Sequence, residues 1–245
     1  MNNIEKEKAV FCWSGGKDSA LALYYLLKNG KYQVEFLLTT VNSSLQRVSM
    51  HGVSLELLKA QAAEIGIPLD ILFIPDPCRH EEYEKLMDGK MQQYSEKGIK
   101  TMIFGDIFLE DLKKFREENL KKAGMQAVFP LWKKDTSQLV NEFLDLGFGT
   151  FVCCASSELF SKDDCGRVLD RNFIENLPAN VDPCGENGEF HTFVFEGPLF
   201  LNKLSIKVRD KVLKEYEFEV MENGVAVKNQ KGFWFADLVL NAKEA

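Results

Sequence analysis

The chain has 245 residues, of which 45% are hydrophobic and 27% are charged, and its formal net charge is −7. This composition predicts a globular protein with a buried core, and the negative charge argues against broad electrostatic binding to nucleic acid or to an anionic membrane. No apolar run approaches the roughly 20 residues of a membrane span and the first ten residues are polar, so we expect a cytoplasmic protein.

The first half of the chain alternates strand-like and helix-like segments. The apolar runs predict strands at residues 9–13, 34–41, 69–74, 101–104 and 127–129, with helices between them at 20–27, 55–65, 81–96 and 109–122. Strands separated by helices in this way predict a parallel sheet with helices on both faces. We therefore expect a Rossmann-like α/β domain over residues 1–132.

The pattern changes near residue 133. A helix at 137–146 and a strand at 150–155 precede a loop-rich stretch, and period-two segments follow at 204–208, 211–220 and 224–235. Turns are predicted at Arg209-Asp210 and at Glu222-Asn223-Gly224. Such a pattern is typical of an antiparallel meander. We expect a smaller α+β domain over residues 133–245, in which the substrate binds.

A glycine loop joins the first predicted strand to the first helix. Its sequence is Ser14-Gly15-Gly16-Lys17-Asp18-Ser19. Backbone N–H groups and a helix dipole point at an anion in such a junction, the two glycines let a phosphate approach, and Lys17 adds a positive charge. Asp18 could hold Mg²⁺ or cap the helix. The alternative is a tight turn without a ligand. Neither a Walker A loop nor a GxGxxG fingerprint is present.

Two other polar segments follow predicted strands and should lie beside this loop, because ligands bind at the carboxyl ends of parallel strands. Gly105-Asp106 follows one strand, and Asp106 could contact Mg²⁺ or nucleotide, or form an Asx turn. His51 follows another, either as a ligand contact or as a turn residue. Arg116 stands out in a charged helix because a guanidinium suits a carboxylate or phosphate.

The block from Cys184 to Thr192 is the candidate substrate end. Glu186 and Glu189 bracket a glycine, so both carboxylates could face one cleft, bind an ammonium or trimethylammonium group, or assist proton transfer. The alternative is a glycine-turned loop with exposed acids. The six cysteines are expected to be free thiols, and Cys154 and Cys184 are interpreted as buried small side chains rather than nucleophiles.

The glycine loop resembles the SGGxDS pyrophosphate loop of the ATP pyrophosphatases in the adenine nucleotide alpha-hydrolase superfamily. Three further segments resemble the diphthine–ammonia ligase family. They are Arg47-Val48-Ser49-Met50-His51, then Gly105-Asp106 with Arg116 ahead of Phe129-Pro130-Leu131-Trp132, and Asp182-Pro183-Cys184-Gly185-Glu186-Asn187-Gly188-Glu189-Phe190-His191-Thr192-Phe193. Asn187 and His191 stand where the family more often has Gly and Glu. These departures indicate a divergent subgroup whose substrate could differ from diphthine.

The resemblance implies an ATP- and Mg²⁺-dependent ligase that adenylates a substrate carboxylate, releases AMP and pyrophosphate, and transfers ammonia or an amine. The resemblance implies catalytic roles for Lys17, Asp18 and Asp106, of which Asp18 and Asp106 would bind the metal. The glycine loop, His51 and Gly105 would bind the nucleotide. The substrate would be bound by Arg116, Glu186, Glu189, His191 and Thr192. Alternatives are thiolation or another adenylation, and a non-catalytic nucleotide-binding module. The acceptor would be a small molecule or a modified protein side chain, and the C-terminal strands could form a homodimer.

Overall fold

The computed structural model of the chain describes residues 6–48, 51–222 and 225–241. The elements, in chain order, are β1 (Glu7–Cys12), α1 (Lys17–Asn29), β2 (Tyr32–Asn42), α2 (Leu55–Ile65), β3 (Leu69–Ile74), α3 (His80–Glu96), β4 (Thr101–Ile103), α4 (Glu110–Lys122), β5 (Gln126–Val128), α5 (Thr136–Asp145), β6 (Gly149–Ser156), α6 (Arg171–Glu175), β7 (Phe190–Glu196), β8 (Ile206–Glu222) and β9 (Val225–Leu240).

The first five strands form one parallel sheet in the order β3-β2-β1-β4-β5. The central strand β1 is apolar throughout its middle because both of its faces are covered. Ala9 and Phe11 belong to the hydrophobic core that includes α1 and α2, whereas Val10 belongs to the core that includes α3 and α4. The prediction of a parallel sheet with helices on both faces is confirmed.

Helix boundaries follow from local capping chemistry, which α2 illustrates. At its start the Ser54 side chain accepts a hydrogen bond from the Leu57 amide, and at its end Gly66 takes a left-handed conformation with φ of 75°. A serine hydroxyl satisfies an amide that the helix leaves unpaired, and glycine adopts positive φ without a steric penalty. This is why the bounds of α2 could be predicted from the sequence.

The last four strands form an antiparallel sheet in the order β7-β6-β9-β8. With α5 and α6 this confirms the predicted α+β part. Two elements were not predicted. Helix α6 has five residues, too few for a periodic signal, and β7 begins inside the glycine-bearing block that precedes Thr192.

The predicted turn at Arg209-Asp210 is wrong. The chain runs straight through as β8, and a β-bulge lies between Val208 and Asp210. Arg209 is the extra residue, and its Nε donates to Asp237 Oδ2 on β9 at 2.7 Å. A bulge absorbs an extra residue within a continuous strand. In the sequence alone, such a bulge cannot be distinguished from a turn that reverses the chain. In the other predicted turn, Asn223 and Gly224 lie outside the described residues.

One hydrophobic core joins the two sheets. It contains Phe11 and Leu23 from the first part of the chain together with Val152, Phe193 and Leu238 from the second. The antiparallel sheet therefore packs on the side of the parallel sheet that carries α1 and α2. The domain boundary at residue 132 stays a prediction. Within the described residues, no helix is both long and apolar enough to cross a membrane.

Candidate functional site

A cleft of about 640 Å³ lies between the carboxyl ends of β1, β2 and β4 and the segment that leads into β7. This volume is in the range of small-molecule sites. The cleft is lined by twelve of the predicted site residues: Ser14, Gly16, Lys17, Asp18, Ser19, His51, Gly105, Asp106, Arg116, Glu186, His191 and Thr192. Gly15 and Glu189 are not among its lining residues. Ser49 and Met50, which precede His51 in the predicted motif, lie outside the described residues.

The glycine loop forms the floor of the cleft. Gly16 caps α1 with an extended backbone and no side-chain hydrogen bond. A Cβ at Gly16 would lie 3.1 Å from the Thr192 carbonyl oxygen and 3.4 Å from His51 Nε2. The Ser14 and Ser19 hydroxyls are hydrogen-bonded to each other at 3.1 Å. The loop therefore brings backbone and hydroxyl groups to one end of a helix, where an anion is favoured.

Lys17 is the cation of this loop and is only 3% exposed. Its Nζ lies 2.7 Å from Asp18 Oδ2 and also donates to the carbonyl of Cys184. Burial is the largest single effect and disfavours the charged ammonium, but the charge and hydrogen bond of Asp18, together with Cys184 and Glu186, outweigh it and raise the pKa of Lys17. The side chain is therefore positively charged at neutral pH and held against the opposite wall of the cleft.

A second ion pair joins the segment after β4 to α4. Arg116 contacts Asp106 through two nitrogens, at 2.9 Å from Nε and 3.2 Å from Nη2. Burial raises the pKa of Asp106, and the attraction of Arg116 opposes this shift without cancelling it. A Cβ at Gly105 would lie 3.1 Å from the backbone nitrogen of Ser19. Gly105 thus allows β4 to press Asp106 close to the start of α1.

Glu186 and Glu189 have different surroundings. Glu186 lines the cleft, where its Oε1 accepts from the Ile107 amide at 2.8 Å. Burial raises the pKa of Glu186 to about 7, although the Ile107 hydrogen bond opposes the shift. Glu189 Oε1 instead accepts from the Asp182 amide and the Asn187 side chain, both at 3.0 Å. Glu189 therefore holds the loop, and Glu186 is the carboxyl group of the pair that the cleft can use.

Two histidine rings pack against each other beside the glycine loop, tilted by 34°. The ring centroids of His51 and His191 are 4.5 Å apart. Burial, the neighbouring His191 and the charge of Lys17 lower the pKa of His51 well below its usual value, and burial together with Lys17 lowers the pKa of His191 to about 4. Both rings are neutral at pH 7. His51 Nδ1 and His191 Nε2 are buried without a hydrogen-bond partner among the described residues.

Strand β7 is bonded to the glycine loop. Thr192 Oγ1 accepts from the Lys17 amide at 2.9 Å, and the Val194 amide donates to the Gly15 carbonyl at 2.9 Å. The Gln61 side chain, fully buried on α2, donates to the carbonyls of both Gly15 and Val194. Sequence reasoning missed Gln61, for which the only signal was a polar residue on an apolar helix face. Its amide cross-links the loop and the second sheet.

The cysteines offer no activated thiol. Cys12 and Cys184 line the cleft, but burial raises the pKa of Cys12 to about 12 and also raises the pKa of Cys184. Burial also raises the pKa values of Cys153, Cys154 and Cys165. Across the part of the chain that the structure describes, no group of three or more His, Cys, Asp or Glu side chains could hold a metal ion.

Comparison with known proteins gives consistent matches. The diphthine–ammonia ligase of Schizosaccharomyces pombe is 30% identical over 113 residues, which are 44% of this chain and 18% of that protein. The human diphthine–ammonia ligase is 26% identical over 60% of this chain and 57% of its own length. The mouse protein of the same name is 22% identical over 82% of this chain and 83% of its own length. The chain thus spans less than two thirds of the first two relatives.

Two family models match most of the chain. Residues 7–127 match the diphthamide synthase N-terminal domain, and residues 135–233 match the diphthamide synthase C-terminal domain. The first match includes the glycine loop and the Asp106–Arg116 pair, and the second includes Glu186, His191 and Thr192. Both walls of the cleft therefore come from segments that the family shares, and the chain belongs to the diphthamide synthase family.

Proposed function

We propose that this protein is an ATP-dependent ligase that forms an amide from a substrate carboxylate and ammonia or an amine. The carboxylate oxygen attacks the α-phosphorus of ATP, the α–β bond breaks, and pyrophosphate leaves. The amine then attacks the carbonyl carbon of the acyl-adenylate, AMP leaves, and a proton passes to a base. The observation that carries the proposal is the glycine loop, whose charged Lys17 lines the same cleft as Glu186.

The loop fits the phosphates of ATP. Gly16 and Gly105 line the cleft without side chains, which lets a phosphate approach the backbone at the start of α1. Lys17 and the amides of this turn would stabilise the leaving pyrophosphate electrostatically. The Lys17 ammonium is now shared with Asp18 and the Cys184 carbonyl. ATP would therefore compete with two existing partners of Lys17.

Mg²⁺ also fits the residues that line this cleft. Proteins usually hold Mg²⁺ through one or two carboxylates together with phosphate oxygens. Asp18 and Asp106 are two such carboxylates on adjoining walls. When bound there, Mg²⁺ would supply positive charge to the phosphates. Lys17 and Arg116, whose present partners are Asp18 and Asp106, would then pair with a phosphate or with the substrate carboxylate.

Glu186, His191 and Arg116 line the same cleft, and we assign them to its acceptor end. A pKa of about 7 suits Glu186 to take a proton from an ammonium ion or amine at neutral pH. The Arg116 guanidinium suits the substrate carboxylate. The names of the relatives favour a carboxylate on a modified protein side chain. His191 stands where the family more often has Glu, which favours a substrate whose groups beside the carboxylate differ from those of diphthine. A small-molecule acid is the alternative acceptor.

The test is product analysis with ATP, Mg²⁺, ammonium and a panel of acids that includes a diphthine-bearing protein. We expect AMP and pyrophosphate in equal amounts, formed only with an acceptor, and incorporation of ¹⁵N from ammonium into an amide. Lys17→Met is the control that should lower both signals about 10²–10³-fold. Release of ADP and phosphate would contradict the proposal. Tight ATP binding without turnover on any acceptor would favour a nucleotide-binding module instead.

A further inference from the structure

Strand β8 forms an exposed edge of the antiparallel sheet. It has 17 residues and pairs with β9 on one side, and the sheet order ends with it. Three of its large apolar side chains are exposed, with 39% for Val212, 44% for Leu213 and 45% for Tyr216. A long edge strand with exposed apolar residues offers unpaired backbone groups to another strand. Natural proteins usually cover such an edge or pair it.

Between residues 211 and 217 the charges of β8 are segregated along the strand. Lys211 and Lys214 come first, and Glu215 and Glu217 follow them. The cross-strand partners of these residues on β9 carry no charge: Lys211 lies opposite Ala236, and Glu215 lies opposite Gly232. Lys211 donates one 3.3 Å hydrogen bond to the Asp163 carbonyl. Neither Glu215 nor Glu217 forms an ion pair with the described residues, so β9 does not explain their charges.

The pattern is self-complementary in the antiparallel direction. Residues 211, 213 and 215 share one face of the strand because side chains alternate. If two copies of β8 pair with the two-fold axis at Leu213, each Lys211 lies opposite the Glu215 of the second copy, and the two Leu213 side chains meet at the axis. On the other face Val212 meets the aliphatic stem of Lys214. A parallel arrangement would instead place like charges side by side, which is destabilising.

We propose that β8 is the interface of a homodimer, in which two copies pair antiparallel about Leu213. The main-chain hydrogen bonds of strand addition would supply affinity, and the two Lys211–Glu215 pairs would set the register. The result is one continuous eight-stranded sheet. Because β7, the opposite edge of each sheet, contacts the glycine loop, the two clefts would lie at the far ends. The proposal is therefore independent of the proposed function.

A charge exchange tests the interface. Each dimer contains two Lys211–Glu215 pairs, so Lys211→Glu or Glu215→Lys alone creates two like-charge contacts and should raise the dimer dissociation constant about tenfold. The double variant Lys211→Glu/Glu215→Lys restores opposite charges and should return within about threefold of the wild type. Sedimentation velocity over a concentration series measures this. A wild-type chain that stays monomeric, or a double variant as weak as the singles, would overturn the proposal.

Disulfide cross-linking tests the register without changing a charge. Leu213→Cys should form a covalent dimer within minutes of mild oxidation, because the two side chains meet at the axis. Leu201→Cys is the control for random collision, since Leu201 is 78% exposed and is not part of β8. The wild type controls for the native cysteines. Equal cross-linking of Leu213→Cys and Leu201→Cys would overturn the register. Activity per chain should be unchanged in all these variants.

Discussion

Replacing Thr192 by Val would remove the hydroxyl that ties the glycine loop to β7. Thr192 is 3% exposed, and its Oγ1 accepts from the Lys17 amide at 2.9 Å. Valine keeps the shape, so the main loss is the hydrogen bond, and the buried amide of Lys17 is left without a partner. Such a loss costs about 1–3 kcal/mol. At about 2–4 °C per kcal/mol for a chain of this size, the melting temperature should fall by roughly 2–12 °C.

Thr150 offers a matched control. It is fully buried, and its Oγ1 has no hydrogen-bond partner among the described residues. Thr150→Val removes a buried polar group that makes no bond, so stability should be unchanged or slightly higher. Both variants are compared by thermal unfolding and by their KM for ATP. Only Thr192→Val should raise this KM, because the Lys17 amide that Thr192 accepts from lies in the glycine loop. Equal effects of the two substitutions would refute the reasoning.

Three other substitutions probe the cleft. Gly105→Ala should raise the KM for ATP and lower the melting temperature, since its Cβ would press on the Ser19 backbone, whereas Gly89→Ala meets no atom within 4 Å and should stabilise α3 by about 0.5–1 kcal/mol. Lys17→Met should lower kcat about 10²–10³-fold with an unchanged circular dichroism spectrum; retained turnover would contradict its role. Because burial raises the pKa of Glu186 to about 7, the folded protein holds this proton more tightly than the unfolded chain, and the stabilisation is lost as pH rises through 7. The melting temperature of Glu186→Gln should therefore exceed that of the wild type at pH 8 and equal it at pH 4. Equal melting temperatures at pH 8 would contradict the raised pKa.

The parallel sheet could be predicted because its signals are local. The bounds of Leu55–Ile65 and Leu69–Ile74 match the predicted helix and strand to the residue. Ser54 caps the start of the helix through its side chain, and Gly66 ends it through its left-handed backbone, whose N–H donates to the Ala62 carbonyl. The gathering of polar segments at one sheet edge also followed from topology alone, since parallel strands bring their carboxyl ends together.

Long-range contacts could not be predicted in the same way. Gln61 donates to the Val194 carbonyl across 133 residues of sequence, and no residue near Gln61 in the sequence indicates that partner. The different environments of Glu186 and Glu189 have a similar origin. Both flank Gly188, and only the contacts of Glu189 with Asp182 and Asn187 decide which carboxyl group faces the cleft.

The contacts between the two sheets bear on how a two-step reaction could proceed in one cleft. The Cys184 carbonyl accepts from Lys17, and Glu186, two residues later, accepts from the Ile107 amide. The proposed acceptor end is thus anchored to the glycine loop and to the segment that follows β4. Under the proposed reaction the acyl-adenylate must meet an amine before water reaches it, which requires that both ends hold a fixed distance. The core that the two sheets share, together with these hydrogen bonds, ties the two ends together.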